Sequence, residues 1–295
     1  MDQGTFRRIK TVISRLGFYR KRCGQTHSDG AVLAVYFWAA LCDRPVSWAC
    51  DQDHWPPGLW RAVLPSQSCM SRRMHQPRFA VQQARVEAAA RPARREVTLV
   101  AAMDGKPLPV AWHSTDPHAG KGRGAGCLAR GYKIHALVDA AGGLLAWRLA
   151  SLNVDERAMA PRLLRQIEGV CYIVADSNYD SLKLFEAAHA RGAQLVAPRQ
   201  ASHRGAGLGH RPRHPARLRS IELLEGPTRP FVRELVVARR GIERFFANLT
   251  NFGGGLTCLP AWVRTYPRTL AWVAAKLTIA HLRQHQAPAD DAQAA

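Results

Sequence analysis

Apolar and polar positions divide this chain into a helical first third and a longer part built from short apolar runs. Ala31–Leu41 is apolar on every side, which predicts a buried helix rather than an amphipathic surface one. Ser28 or Asp29 stands where its N-cap belongs. Pro45 interrupts, Val46–Cys50 begins another short segment, and Pro56-Pro57-Gly58 turns the chain. Pro65 ends that stretch, and Ser66 caps a helix running to about Gln76. A turn followed by a capped helix carrying Gln67, Ser68, Ser71, Arg72 and Arg73 suits a helix-turn-helix DNA reader. It also suits a plain helical packing unit. Residues 72–95 hold seven Arg and a single acid, Glu87, which reads as a basic connecting helix or a solvated face.

The pattern changes at Glu96. Val97–Met103 is a short apolar run ending at Asp104, Tyr132–Val138 is a second strand closed by the turn 139–143, and Leu144–Ser151 is a third. Met159, Leu163, Leu164 and Ile167 recur at helical spacing over 155–168, with Asn153 as the candidate cap. Cys171–Ala175 is a buried-type strand ending at Asp176. Ser181–Arg191 is a helix stopped by Gly192, and Gln194–Ala197 is a last strand ended by Pro198. A hairpin feeding parallel β-α-β units predicts a mixed α/β sheet with helices on its faces. An apolar helix is expected near the C-terminus, around Leu270–Leu282, with a frayed tail after it.

Charge sharpens this picture. The 295 residues carry a formal net charge of +20, which points to a polyanion partner, nucleic acid before membrane. The longest uncharged apolar run, Ala31–Cys42, is too short to span a bilayer. The first ten residues lack an apolar stretch and read as no signal peptide. Seven Cys without a C-x-x-C pattern resemble reduced core thiols rather than a disulfide framework or a zinc site. Two Gly- or Arg-rich segments stand out. Residues 119–126 (AGKGRGAG) match neither a P-loop nor a dinucleotide fingerprint and read as a flexible basic loop. Residues 199–219 hold six Arg, three His and no acid, either an idle surface loop or a set of phosphate contacts.

With only 22 acids in the chain, an Asp closing a buried-type strand is unusual. Asp104 and Asp176 each do so, at the strand ends where open α/β sheets place ligands. Two neighbouring carboxylates repel and resist burial, and a hard divalent cation relieves both effects. Asp139 also follows a strand, but the AAGG after it marks an ordinary hairpin turn.

MDGKPLPV around Asp104, GYKIHALVD at 131–139, IVADSNYDS around Asp176 and RRGIERFFANLTNFGGG around Glu243 together resemble the DDE transposases of bacterial insertion sequences. The stretch LPSQSCMSRRM also resembles their N-terminal region. Asp104 and Asp176 are 72 positions apart, and Asp176 and Glu243 are 67. The resemblance implies an RNase H-like catalytic core over 96–252 with a basic insertion at about 198–230. A helical DNA-binding domain over 1–95 would precede it, with a C-terminal helical region (253–286) and a disordered tail (287–295) after it. It implies that Asp104, Asp176 and Glu243 hold two Mg²⁺ or Mn²⁺ ions and cleave and rejoin DNA by phosphoryl transfer. One branch of that family carries Y-x2-R-x3-E-x6-K around its Glu. Here Arg239 matches the Arg, but Val236 replaces the Tyr and Thr250 the Lys.

Glu222, Glu225 and Glu234 are the other acids on offer for the third position. A helix over 239–251 would pack Ile242, Phe245, Phe246 and Leu249 on the sheet and leave Glu243 at the rim, as a metal ligand or as a surface acid paired with Arg239 one turn earlier. The resemblance around IERFF implies that Glu243 is the third acid. Expected DNA contacts are Gln67, Ser71, Arg72 and Arg73, then Arg199, Arg204, Arg211 and Arg213, then Arg239 and Arg240. The expected partner is double-stranded DNA, both element ends and target, bound by a homodimer in the bacterial cytoplasm and nucleoid. Two other functions fit the same residues: an RNase H-like nuclease without strand transfer, and a non-catalytic DNA-binding derivative.

Overall fold

The computed structural model describes residues 2–91, 97–124, 126–200, 214–227, 229–251 and 255–284. The chain divides into two compact units, Met1–Pro92 with Leu249–Ala295, and Ala93–Asn248.

The first unit contains α1 (Gln3–Arg15), α2 (Asp29–Leu41), α3 (Val46–Ala49), α4 (Gln67–Met74), α5 (Pro77–Ala90) and the C-terminal helix Tyr266–Gln284. Helix α2 is buried on every side, as its unbroken apolar sequence requires, and Ser28 caps it by accepting from the Ala31 N–H at 3.1 Å. Trp38 of α2 stacks on Trp55 at 5.1 Å between ring centres, and Phe6 of α1 meets Trp38 edge-on. Asp29, in the first turn of α2, is buried and accepts hydrogen bonds from Arg78 (2.8 Å) and Gln82 (2.6 Å) of α5, and from Arg22 and Arg73. Burial alone would raise its carboxyl, but the Gln82 and Arg78 hydrogen bonds and the nearby Arg charges hold it below the usual carboxylate range. Helix α5 is therefore no solvated connector: it buries Phe79, Gln82, Gln83, Val86, Glu87 and Ala90. The C-terminal helix, expected as a region of its own, belongs to this unit. Its Ala271 carbonyl accepts from Gln83 at 2.6 Å, and its buried Lys276 donates to Asp43 at 2.6 Å.

The second unit is a mixed sheet with helices on both faces. Its elements are β1 (Thr98–Pro109), β2 (Gly120–Gly124), β3 (Cys127–Asp139), β4 (Leu144–Ser151), α6 (Glu156–Leu164), β5 (Val170–Val174), α7 (Leu182–His189), β6 (Gln194–Val196), α8 (Pro215–Glu225), α9 (Pro230–Ala238) and α10 (Arg240–Asn251). The strand order is β2-β3-β1-β5-β6, with β4 also paired to β3. β1 runs antiparallel to β3 and parallel to β5. One face buries Ala101, Met103 and Leu137 under Leu163 of α6 and Phe185 of α7. The other gathers Val174, Val196 and Val100 against Leu235 of α9.

Three details differ from expectation. β1 runs on to Pro109, so Asp104 lies within the strand rather than at its end. Asp155, not Asn153, caps α6, accepting from the Arg157 N–H at 2.8 Å. The segment read as a flexible basic loop is strand β2, paired with β3 from Gly120↔Gly131 to Gly124↔Cys127. Its glycines alternate for a steric reason. A Cβ at Gly120 would collide with Asn153 at 2.0 Å, and one at Gly122 would lie 2.7 Å from the Leu152 carbonyl. The intervening Lys121 and Arg123 side chains are exposed.

The last helix of this unit is seated by the same device. Asp139 folds its own turn, its carboxylate accepting from the Ala141 and Gly143 N–H groups at 2.9 and 2.8 Å. The turn carbonyls then meet α10 at Gly241, where a Cβ would stand 2.6 Å from the Asp139 oxygen, and Arg244 donates to the Ala140 carbonyl at 2.6 Å. Gly241→Ala should therefore lower unfolding stability by about 1–3 kcal/mol in urea denaturation. A change below about 0.5 kcal/mol, the range of an ordinary surface substitution, would mean that the helix is not held at this point.

Candidate active site

The parallel pairing of β1 with β5 sets the geometry. Ala102 lies opposite Val174, so Asp104 within β1 and Asp176 just past the end of β5 each stand two positions beyond that pair. Side chains alternate along a strand. Asp104 thus shares a face with Val100, the face covered by α9, while Met103 and Gly105 face α6. Asp176 leaves β5 and caps a single 3-10 turn, Ser177–Tyr179. Its carboxylate accepts from the Asn178 backbone N–H at 2.9 Å and the Asn178 side-chain amide at 3.2 Å.

Asp104 accepts one hydrogen bond, from the Gly105 N–H at 2.7 Å. Burial pushes its carboxyl up to about 6, and the negative charges of Asp176 and Glu156 push the same way. The Gly105 hydrogen bond and the positive charge of Arg239 oppose the shift only in part. Glu156 is the residue that sequence reasoning missed. It stands in the first turn of α6 and is paired with Lys133 at 2.9 Å, each side chain 15% exposed. The pair closes over Gly105, where a Cβ would lie 2.9 Å from Lys133 and 3.0 Å from Glu156. Two adjacent acids at a helix start, Asp155-Glu156, were the available signal, but such a pair is equally typical of plain capping. Tyr179 is buried beside this cluster with its hydroxyl unpartnered, and burial together with the charges of Glu156, Asp104, Asp176 and Asp155 raises that hydroxyl well above its usual value.

Arg239 joins α9 to α10, close enough to Asp104 for its charge to act on that carboxyl, and its Nε is buried without a hydrogen-bond partner. Glu243 follows one turn later on the solvent side of α10. Ile242, Phe245 and Leu249 are buried and Phe246 is half-buried, while Glu243 is exposed. Among the other acids offered for the third position, Glu225 is paired with Arg199 at 2.6 Å, and Glu222 and Glu234 are exposed, as Glu243 is. Among the described residues, no three His, Cys, Asp or Glu side chains stand close enough together to hold a metal ion.

The expected DNA contacts are scattered across both units. Gln67, Ser71 and Arg72 are exposed on α4, capped by Ser66. Arg73 is instead turned inward, bound to Asp29 and donating to the His27 carbonyl at 3.0 Å. Arg199 is held by Glu225, and Arg240 is exposed at the start of α10. Arg204, Arg211 and Arg213 lie outside the described residues. Arg217, also in the basic segment, is buried in α8 and donates to Asp180 at 2.9 and 3.1 Å.

The raised Asp104 carboxyl has a measurable consequence. Its folded value of about 6 lies above the roughly 3.9 of an unfolded chain, so the fold favours the protonated form. That contribution is fully present below about pH 4 and is lost as pH rises through about 6. In EDTA, Asp104→Asn should match the wild type near pH 4 and exceed it near pH 8 by on the order of 1–3 kcal/mol. A stability difference that does not vary between the two pH values would contradict the burial of a repelled charge.

The family model described as "Transposase DDE domain" matches residues 95–273. No protein of curated function matches the sequence. In fold, the chain is similar to a piggyBac transposase synaptic complex with hairpin DNA, at 11% identity and a TM-score of 0.48, covering 94% of this chain and 70% of that one. It is similar more distantly to a chain of the simian T-cell lymphotropic virus intasome in complex with PP2A regulatory subunit B56 gamma, at 13% identity and a TM-score of 0.23, covering 66% and 65%. The assignment rests on the family model, whose match runs through β1, the Asp176 turn and the α9–α10 segment: this chain belongs to the transposase DDE domain family.

Proposed function

We propose that this protein cuts DNA at the ends of an insertion sequence and joins those ends to target DNA, using Asp104, Asp176 and Glu243. What supports the reading is the proximity of Asp104 and Asp176, each two positions beyond the Ala102–Val174 pair of β1 and β5, with Asp104 pushed up to about 6 by burial and by its neighbours. A carboxylate within β1 and another in the turn that follows β5 offer hard oxygen donors, which fit Mg²⁺ or Mn²⁺. Glu243 is the proposed third ligand. Its helix continues from Arg239, which already acts on Asp104. Bound there, a pair of such ions would supply Lewis acidity and lower the pKa of an attacking water.

The chain's own groups do the positioning. Asn178 fixes the Asp176 carboxylate, and Arg239 brings positive charge to the side of Asp104 on which a phosphate would lie. In cleavage, a water oxygen bonds to phosphorus as the bond to the 3′ oxygen breaks, and that oxygen leaves as a hydroxyl after taking a proton. In joining, the hydroxyl attacks a target phosphodiester and a second 3′ hydroxyl is released. Exposed α4, with Gln67, Ser71 and Arg72, would read the element end, and Arg240 and the basic segment with Arg204, Arg211 and Arg213 would hold phosphates. Two ends must meet, so a homodimer is the expected DNA-bound form, acting in the cytoplasm on nucleoid DNA. No described helix is long and apolar enough to cross a membrane.

Asp104→Asn and Asp176→Asn should each reduce Mg²⁺-dependent cleavage of end-containing DNA by about a thousandfold or more while leaving DNA binding near wild type. Persistent cleavage in either variant would overturn the assignment. Glu243→Gln should do the same with the fold intact by circular dichroism, and normal activity would put the third acid elsewhere. A nuclease without strand transfer would give cut but never joined products. Arg72→Ala should flatten the dependence of log affinity on log salt by about 0.9 if it neutralises one phosphate, and an unchanged slope would leave α4 a packing helix.

A further inference from the structure

Asp176 stands outside the strand ladder that fixes Asp104. β5 ends at Val174, and the Ala175 N–H still donates to the Val196 carbonyl at 3.0 Å. Beyond it the chain makes a single 3-10 turn, Ser177–Tyr179. Two internal hydrogen bonds close that turn, from the Tyr179 N–H to the Asp176 carbonyl at 3.1 Å and from the Asp180 N–H to the Ser177 carbonyl at 3.2 Å. Bonds of this type have poor geometry. One turn of them does not by itself hold a carboxylate within the roughly 0.5 Å that a metal or catalytic site demands, so the support has to come from outside the turn.

Part of it comes from Tyr179, which is buried in the core cluster that also holds Met103 and Leu184. The rest comes through Asp180. Asp176 caps the turn at its start and Asp180 at its end. The Asp180 side chain is 2% exposed. Arg217 of α8 grips it with two prongs, Nε to Oδ1 at 2.9 Å and Nη2 to Oδ2 at 3.1 Å, and Oδ2 also accepts from the Gln200 N–H at 3.3 Å.

This ion pair is not needed to seat α8. Ser220 of that helix accepts from the Ala197 N–H at 3.1 Å and donates to the Ala197 carbonyl at 3.2 Å. The Gln194 amide donates to the Ala216 carbonyl at 2.7 Å. Those bonds tie α8 to β6 and the residue after it, and none of them reaches the Asp176 turn. A buried ion pair is also a weak source of stability, because desolvation offsets most of its attraction. What a two-pronged guanidinium–carboxylate contact adds is a fixed orientation, and the element oriented here is the turn that carries Asp176.

We propose that Asp180 and Arg217 are positioning residues for Asp176, their ion pair locking the turn so that the Asp176 carboxylate meets the same metal ion as Asp104. The inference rests on the metal-binding reading of Asp104 and Asp176. It concerns residues that touch neither the ion nor DNA and act only through the turn.

The test uses variants that keep both charges and change only the geometry. Asp180→Glu lengthens the side chain by one methylene, and Arg217→Lys replaces the planar fork by a single ammonium. With Mn²⁺ alone as the probe, followed by the paramagnetic resonance of the free ion, each variant should bind about tenfold more weakly than wild type, as expected when the support of a metal ligand is disturbed. Circular dichroism should be unchanged. Ser220→Ala, which loosens α8 one turn further on, should keep the wild-type Mn²⁺ affinity. In EDTA, hydrogen exchange over residues 176–181 should be faster in the Asp180 and Arg217 variants than in wild type or Ser220→Ala. Wild-type Mn²⁺ affinity in both variants, unchanged exchange in the turn, or an equal loss of affinity in Ser220→Ala would overturn the proposal. A wild type that binds no Mn²⁺, or binding that survives Asp176→Asn, would instead refute the metal reading of Asp176, and the exchange measurement would still decide whether Asp180 and Arg217 hold the turn.

Discussion

The parallel pairing of β1 with β5 is the constraint on which the rest of this unit turns. It brings Asp104, within β1, close to the Asp176 turn that follows β5, where burial and the Asp176 charge both disfavour the ionised form of Asp104. No local preference produces that arrangement. It persists because Ala101, Met103, Ile173 and Val174 are buried around it, and apolar burial at about 25 cal/mol per Å² outweighs the strain of one poorly solvated carboxyl. The raised Asp104 carboxyl is the residue of that conflict, and strained groups of this kind concentrate where chemistry is done.

Around this pair the unit is organised by close backbone approach. Gly105 admits the Lys133–Glu156 pair beside Asp104, Gly120 and Gly122 admit residues 151–153, and Gly241 admits the Asp139 turn. Each glycine gives up a side chain so that another group can come nearer than a Cβ allows. The first case brings the Lys133–Glu156 ion pair beside β1, the second locks β2 against residues 151–153, and the third seats the start of the helix bearing Glu243. The chain's excess positive charge is distributed on a different logic. Arg73, Arg199 and Arg217 are consumed by internal carboxylates, whereas Arg72, Arg123 and Arg240 remain on the surface.

The buried Asp29 illustrates how an internal ion pair differs from a DNA contact. Its partners come from the loop before α2, from α4 and from α5, so the carboxylate ties four segments of the first unit together. Removing one member of such a cluster leaves a buried charge uncompensated, which is far costlier than loss of an exposed pair. Arg73 is therefore a structural cation, although it sits beside Arg72 on the same short helix.

The mixed sheet, the apolar helix α2 with its Ser28 cap, the Ser66 cap of α4 and the Asp139 turn were legible in the sequence, because each follows from periodicity or from a hydrogen bond within a few residues. The sequence also singled out Asp104 and Asp176, since a carboxylate after a buried-type run is conspicuous in an acid-poor chain. Features that depend on what lies across a gap emerged with the fold. A glycine-rich segment is a strand because residues 151–153 leave room for nothing larger than hydrogen at Gly120 and Gly122. A basic helix turns one face to a core because the C-terminal helix, nearly two hundred residues away, covers it. Glu156 stands beside β1 because β3 supplies Lys133 to hold it there. Local sequence records what a residue prefers, whereas partners brought from distant segments decide whether an arginine meets a carboxylate or the solvent.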